Sequence, residues 1–403
     1  MNSFLDILKE RGLVFQSTPG IEKVFEKGSS IYFGFDPTGD ALHVGHLLGL
    51  SILKRAYENG QNIIVLVGGG TAMIGDPGGK DAERPILPKE QIEKNKQKLK
   101  SQMAHFFTFD EKRVIMVDNA DWLENVSLID FLRDAGKFVP INSMLDKDSV
   151  KSRIDREEGI SYAEFSYQLL QAYDYLVLHE KYGVNVQIGG SDQWGNIVQG
   201  VELIRKKSGH HTFALSYPLI VNPKTGKKFG KTEGGAGIWL DSEKTHPFQL
   251  YQFFVNQDDE LAVTLMKYFS FKSMNEIEAI IKEWEPQKET RTLQKVLAFE
   301  LVSIIHNMEI AKMCQEMAHV LFDQGAKDIT ELQLEFVKKS LPYKKLGAEE
   351  QFQFESILVE LKLVASKGEA KRLIQQNGAR NRELFGKYFL IQKGKREYAV
   401  VEK

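Results

Sequence analysis

The sequence predicts an α/β protein in which a doubly wound parallel sheet is followed by an all-α domain and a small α+β module. Three observations predict it. Short apolar runs alternate with helix-forming stretches over the first 221 residues, the pattern turns helical beyond His246, and short strands return only after Gln351. At about 150 residues per domain, 403 residues suit two or three domains with a sizeable core. The single cysteine, Cys314, excludes an internal disulfide and fits a reducing compartment. Asp6, Glu10 and Glu22 interrupt the N-terminal apolar residues, so no signal or transit peptide is expected, and no apolar run is long enough to span a membrane. A soluble, cytoplasmic protein is the expectation. From Leu361 to Lys403, 11 Lys and Arg face 4 Asp and Glu, a net +7 that leaves −9 on the rest of the chain. A basic tail on an acidic body points either to nucleic acid or to a solvated basic surface.

Residues 1 to 29 read as a helical preamble. Ile31, Tyr32, Phe33 and Phe35 form a β-rich run that breaks at Asp36-Pro37-Thr38-Gly39, passes through His43-Val44-Gly45-His46, and becomes a helix to about Tyr57. Two histidines three apart at a helix start share a face, and Gly45 leaves room between them for a flat ligand. That suits a nucleotide. Asn62 to Val67 predicts a buried parallel strand ending in Gly68-Gly69-Gly70. A glycine-rich loop from Thr71 to Lys80 follows; Lys80 and Arg84 either meet phosphates or are two exposed cations. Val114 to Val117 reads as a third strand ending at Asp118-Asn119, and residues 120–164, crowded with charge, as an insertion carrying a subunit interface.

In the next helix Tyr167, Gln171 and Asp174 fall at i, i+4 and i+7, a stripe that is either a pocket wall or a solvated face. Asn185 to Ile188 predicts another strand. Gly189-Gly190-Ser191-Asp192-Gln193 then opens a helix to Lys206, with Ser191 or Asp192 as its cap or with the acid at a ribose-binding corner. Thr212 to Val221 is a further strand, followed by a glycine-laced basic loop that contains Lys228-Phe229-Gly230-Lys231-Thr232. Leu293, Val296, Leu297, Leu301 and Ile304 mark one apolar helix face, and Leu261, Leu265 and Tyr268 another. Residues 323–350 lack sustained periodicity and read as a linker. In the last segment Ser366 and Glu369 predict a capping box, Gly378 a helix stop, and Tyr388 to Ile391 and Tyr398 to Val401 short strands.

His43-Val44-Gly45-His46 together with Lys228-Phe229-Gly230-Lys231-Thr232, spaced across a Rossmann-like pattern, resemble the two signatures of class I aminoacyl-tRNA synthetases. With Tyr32, Asp76, the Tyr167, Gln171, Asp174 stripe and the Gly189 to Gln193 run, the chain resembles the bacterial-type tyrosyl-tRNA synthetases over nearly its whole length. Its terminal module is similar to the S4 RNA-binding domain. The resemblance implies a Rossmann-like catalytic domain over 1–221, a mobile lysine-containing signature loop over 222–244, a helical anticodon-side domain over 245–322, a linker over 323–350 and an S4-like domain over 351–403. It implies activation of L-tyrosine by ATP, transfer to tRNA(Tyr), Mg²⁺ accompanying ATP without a dedicated metal site, and a homodimer. Thr38, His43 and His46 would meet the ATP phosphates, Gly45 the adenine and Asp192 the ribose. Lys80, Arg84, Lys228, Lys231 and Thr232 would hold the pyrophosphate, with Lys231 also binding ATP. Tyr32 and Asp174 would receive the phenolic hydroxyl, Asp76, Tyr167 and Gln171 the ammonium, and Gln187 and Gln193 would line the mouth. Lys371, Arg372, Arg380 and Arg382 would contact RNA. Tryptophanyl-tRNA synthetases share the architecture, but an indole pocket would not need Tyr32 and Asp174. A small adenylyltransferase would leave the lysine loop unexplained, and a catalytically inactive RNA-binding factor would not need intact phosphate-binding residues.

Overall fold

A capping box between Ser3 and Asp6 starts helix α1 (Phe4–Glu10), and strand β1 (Gln16–Ser17) and helix α2 (Glu22–Glu26) follow. The preamble is therefore not wholly helical; a two-residue strand carries no periodicity to announce it. The computed structural model describes the chain apart from residues 1–2, 27, 76–86, 146–147, 156–158, 222–225, 227–228, 231–236, 324–325, 348 and 395. It groups into two units, Met1–Leu240 with Asp259–Pro286, and Asp241–Asp258 with Gln287–Lys403.

In the first unit, β2 (Ser30–Phe35) runs into α3 (Val44–Glu58), β3 (Asn62–Val67), α4 (Lys89–Met103) and β4 (Val114–Asp118). Short helices α5 (Ala120–Leu123), α6 (Leu128–Asp134), α7 (Ile141–Leu145) and α8 (Asp148–Asp155) occupy the expected insertion. Then come α9 (Tyr162–Tyr182), β5 (Val186–Gly190), α10 (Trp194–Ser208) and β6 (Phe213–Tyr217). The strand order is β1-β6-β5-β2-β3-β4. Strands β2 to β6 pair in parallel, and β1 is the antiparallel edge. The chain thus builds outward from β2 to β4, then returns across the sheet to place β5 on the other flank of β2. That reversal leaves a crevice beyond the carboxyl ends of β2 and β5, where ligands of open α/β sheets bind. Ile63 to Val67 are all buried because both faces of the sheet are covered.

Helix α11 (Pro247–Val255) belongs to the second unit, whereas α12 (Asp259–Phe269) and α13 (Met274–Trp284) belong to the first. The second unit continues with α14 (Thr292–Ile305), α15 (Met308–Ala318), α16 (Glu331–Lys338), β7 (Tyr343–Lys345), α17 (Phe354–Glu360), α18 (Lys367–Gln375), β8 (Ala379–Leu384), β9 (Tyr388–Lys393) and β10 (Glu397–Glu402). The stretch 323–350, expected as a linker, carries α16, which Thr330 and Gln333 cap reciprocally and which buries Leu334 and Val337. On α14 the buried stripe is Leu293, Leu297, Leu301, Val302 and Ile305, with Val296 and Ile304 only half-buried. The final strands form a sheet in the order β7-β10-β9-β8. Ile357, Leu358, Ala370, Ile391 and Val401 are among its core. The capping box of α18 is only half made: Ser366 Oγ accepts from Glu369 N–H, but the Glu369 carboxylate accepts from Ala365 N–H instead. Asn377, not Gly378, adopts the left-handed turn at φ +55°, while a Cβ on Gly378 would lie 2.6 Å from Leu373 Cδ1.

Candidate active site

The start of α3 fixes two imidazoles. His43 Nδ1 accepts Gly45 N–H at 3.0 Å, and His43 N–H donates to His46 Nδ1 at 3.1 Å. With both Nδ1 atoms accepting, the neutral rings carry their protons on Nε2. The rings stack with centroids 4.0 Å apart. Loss of hydration, and secondarily His43, pushes the His46 pKa down to about 3, so His46 is a neutral donor near pH 7. Two neutral N–H donors at a helix N-terminus suit an anion. Gly45 leaves room for the His43 ring: a Cβ would lie 2.7 Å from His43 Cε1, so any larger residue would displace it.

The described parts of the basic loop pack on this helix start. Gly230, at φ +98°, approaches so closely that a Cβ would meet Val44 Cγ2 at 2.6 Å. Ile238 N–H donates to Gly230 O at 3.3 Å, Val44 N–H to Ile238 O at 2.9 Å, and Leu240 N–H to Leu42 O at 2.8 Å. Gly230, a described residue of the second signature, thus neighbours the first.

Deeper in the crevice a line of hydrogen bonds runs from the end of β2 to α9. Tyr167 OH donates to Asp36 Oδ2 and Thr71 Oγ1 to Asp36 Oδ1, both at 3.1 Å. Asn119 Nδ2 donates to Thr71 Oγ1 at 3.0 Å and to Asp174 Oδ2 at 2.9 Å, while its Oδ1 accepts Gly70 N–H at 2.8 Å. Trp122 Nε1 completes the line, donating to Asp174 Oδ1 at 2.7 Å. The glycines after β3 let these groups close in, since a Cβ on Gly68 would lie 2.2 Å from Asp36 Oδ1 and one on Gly69 2.4 Å from Asp118 Oδ1. Asp174 is 2% exposed. Burial lifts its pKa to about 7, against the lowering by Asn119 and Trp122 and with a further rise from Asp36 and Asp118.

Tyr32 is 1% exposed, and burial first, then Asp174, Asp36 and Tyr175, raise its phenol well above the usual range. Its hydroxyl makes no hydrogen bond among the described residues, so its polar capacity is available to a ligand. Gln187 pairs in register with Tyr32. It is buried, and its Oε1 lacks a hydrogen-bond partner among the described residues. Neither Ser191 nor Asp192 caps α10; its cap is Gln193, which makes no side-chain capping bond. Asp192 is instead exposed on the turn just beyond β5, where a Cβ on Gly190 would lie 2.6 Å from its Oδ1. Gln193 Oε1 accepts from Asn196 at 3.0 Å. Thr38 is exposed and Gln171 half-buried. Asp76, Lys80, Arg84, Lys228, Lys231 and Thr232 lie outside the described residues. Among the described residues no group of three or more His, Cys, Asp or Glu could hold a metal ion.

Asp36, Thr71, Asn119 and Trp122 were not distinguishable as site residues in the sequence. Asp36 and Asn119 stand directly after strand ends, the one positional signal available, whereas Trp122 lies in the insertion without any. In the terminal module Lys371 and Arg372 are exposed on α18. Arg380 Nε donates to Gln392 at 2.8 Å, and the Arg382 guanidinium donates to the carbonyls of Ala326 and Lys327. Arg382 therefore has a structural engagement that its charge alone does not suggest.

Residues 26–323 match the family described as tRNA synthetases class I (W and Y). The chain is 41% identical to tyrosine–tRNA ligase 2 of Enterococcus faecalis, covering 100% of both chains. It is 44% identical to tyrosine–tRNA ligase 1 of Streptococcus thermophilus, over 92% of this chain and 89% of that protein. The structure of a C-terminally truncated mitochondrial tyrosyl-tRNA synthetase from Aspergillus nidulans superposes with a TM-score of 0.72 at 31% identity, covering 80% of this chain and 95% of that one.

Proposed function

We infer the activity from one premise: the chain belongs to the class I tRNA synthetases of the tryptophan and tyrosine type. It is a tyrosine–tRNA ligase. The observation that carries this reading to the residues is the line of hydrogen bonds ending at Asp174 beside Tyr32, a buried acceptor and a phenol at the floor of a crevice whose rim bears two imidazole donors. A carboxylate oxygen of tyrosine attacks the α-phosphorus of ATP as the bond to the bridging oxygen of pyrophosphate breaks. A tRNA 3′-terminal ribose hydroxyl then takes the tyrosyl group, losing its proton as AMP departs. The first step needs no general base, because its nucleophile is already ionised; it needs alignment and stabilisation of the charge building on phosphate.

His43, His46 and Thr38 donate to the phosphates, Gly45 admits the adenine and Asp192 accepts from the ribose. Lys80, Arg84, Lys228, Lys231 and Thr232 hold the leaving pyrophosphate. Tyr32 and Asp174 pair with the phenolic hydroxyl, Tyr167, Gln171 and Asp76 meet the ammonium, and Gln187 and Gln193 line the mouth. Phenylalanine leaves the buried floor unsatisfied and is rejected without editing, a rejection for which tyrosyl-tRNA synthetases are the well-known case. Mg²⁺ accompanies ATP, held mainly through phosphates and water.

The terminal module, 351–403, serves as an S4-like RNA-binding domain, with 245–322 on the anticodon side. Leu128, Ile129, Ile141 and Tyr162 are 65% to 74% exposed on the insertion. A contiguous stretch of chain carrying so many exposed apolar groups fits burial against a second copy. No described helix is long and apolar enough to cross a membrane, and we place the enzyme in the cytoplasm. Exchange of labelled pyrophosphate into ATP across an amino-acid panel tests the activity. Exchange that depends on tyrosine alone is expected; an equal response to tryptophan or phenylalanine would reject the reading.

A further inference from the structure

A buried circuit joins both ends of α3 to the basic loop by way of α12. On the loop, Phe229 N–H donates to Ile220 O at 2.9 Å, and the Phe229 ring faces Phe269 with centroids 6.1 Å apart. Phe269 is wholly buried and ends α12. The carbonyl of the next residue, Ser270, accepts from two buried arginines: Arg55 Nη2 at 2.6 Å and Arg11 Nη1 at 2.7 Å. Arg11 also donates to Lys267 O at 2.9 Å and to Lys272 O. Arg55 projects from α3, donates to Ser51 O at 3.0 Å, and lies over the Phe271 ring at 4.5 Å. At the opposite end of the same helix, Val44 receives Gly230.

Helix carboxyl ends leave carbonyls without partners and carry negative partial charge, so a guanidinium there is favourable. Removing two guanidinium groups from water is nevertheless costly, and apolar packing would close the helix at lower cost. What the arginine pair adds is position. Several directional bonds converge on the backbone from Lys267 to Lys272, and Phe269 lies between those two residues.

We propose that Arg55 and Arg11 are positioning residues for adenylation: by gripping the Ser270 carbonyl they fix Phe269, the seat of Phe229, and so hold Gly230 against the start of α3. The proposal rests on the synthetase reading above. It assigns no contact with substrate to either arginine. It makes the route specific, because an arginine that acts through Phe229 has nothing left to act on once that ring is removed.

Single-turnover formation of tyrosyl-adenylate by the full-length protein, with tyrosine affinity measured by equilibrium dialysis, tests this in Arg55→Met, Arg11→Met, Phe229→Ala and the two arginine–Phe229 double variants. Each arginine variant is expected to slow adenylation by roughly ten- to a hundredfold, the effect of a small misplacement remote from the chemistry. Tyrosine affinity is expected to stay within about twofold, a change in rate without a change in ground-state binding. Each double variant should be no slower than its slower parent, and Arg55→Lys, which keeps one donor for Ser270, should recover part of the rate. Multiplicative losses in the double variants would overturn the proposal, because the arginines would then act by another route. Parallel loss of tyrosine binding in both arginine variants would also overturn it, marking them as folding residues only. Failure of the wild type to form tyrosyl-adenylate would instead reject the synthetase reading.

Discussion

Asp174 is a carboxylate kept where a carboxylate is costly. Its pKa of about 7 lies above the ordinary 3.8. Its folded form therefore binds protons more tightly than its unfolded form, so the stability it contributes is complete below about pH 4 and lost as pH rises through 7. Asp174→Asn removes that loss: the fall in Tm between about pH 5 and pH 8 should be smaller in the variant than in the wild type. Asp174→Ala should lower kcat/KM for tyrosine by about 100-fold or more while leaving the KM for ATP little changed, as expected where a buried partner for a hydroxyl is removed. His46 has the opposite sign. Its pKa of about 3 lies below the ordinary 6.5, so its contribution is present above about pH 6.5 and lost as pH falls toward 3. Its ring should remain neutral at about pH 5 in an NMR titration, and His46→Ala should slow adenylation with tyrosine affinity retained. The stripe of Tyr167, Gln171 and Asp174 was legible because helical spacing states which residues share a face. The partners of Asp174 were not, because Asn119 and Trp122 reach it from a strand end and an inserted helix 55 and 52 residues away in sequence.

Among elements, β2, β3 and β4 were legible nearly to the residue, whereas β5 runs two residues past the expected Ile188 and β6 ends at Tyr217, four short of the expected Val221. Asn62–Val67 is an uninterrupted apolar run because α/β packing covers both its faces, and its glycines mark its end. Short or edge elements were not legible: β1 is two residues long, and β8 is largely exposed with a polar sequence. Helix α16 escaped because its eight residues give too little chain for a periodic pattern. The glycine run after β3 has a purpose beyond turning. Gly69 N–H donates to Asp118 Oδ1 at 3.1 Å, and Asp118 Oδ2 pairs with Lys96 at 2.6 Å. Gly69→Ala drives a methyl into that carboxylate and should destabilise the protein by about 1–3 kcal/mol in denaturant unfolding, with tyrosine binding weakened as the neighbouring Asn119 shifts.

For the whole molecule, the order of a doubly wound sheet, a helical region and a small mixed module could be read from changes of period along the chain. The division near residue 241 could not. Helices α12 and α13 group with the first unit while α11 groups with the second, an interleaving that local periodicity does not encode. The exposed apolar residues of the insertion carry the prediction at this scale. Ile129→Asp should shift the protein toward monomer in sedimentation velocity and reduce adenylation in parallel, if the second copy steadies the helices that support Trp122. Tm independent of protein concentration in the wild type would reject the proposed dimer.

The single amide of Asn119 bridges the two acidic ends of the pocket, Asp36 by way of Thr71 and Asp174 directly. Each of its atoms is committed, with Oδ1 to the backbone after β3 and Nδ2 to the two side chains. On the proposed assignment of the site, recognition of the amino and phenolic ends of tyrosine would therefore be conjunctive rather than additive. Under that assignment a ligand that satisfied one end would bias the orientation of the other, and an amino acid offering only half the features would be penalised for more than the half it lacks.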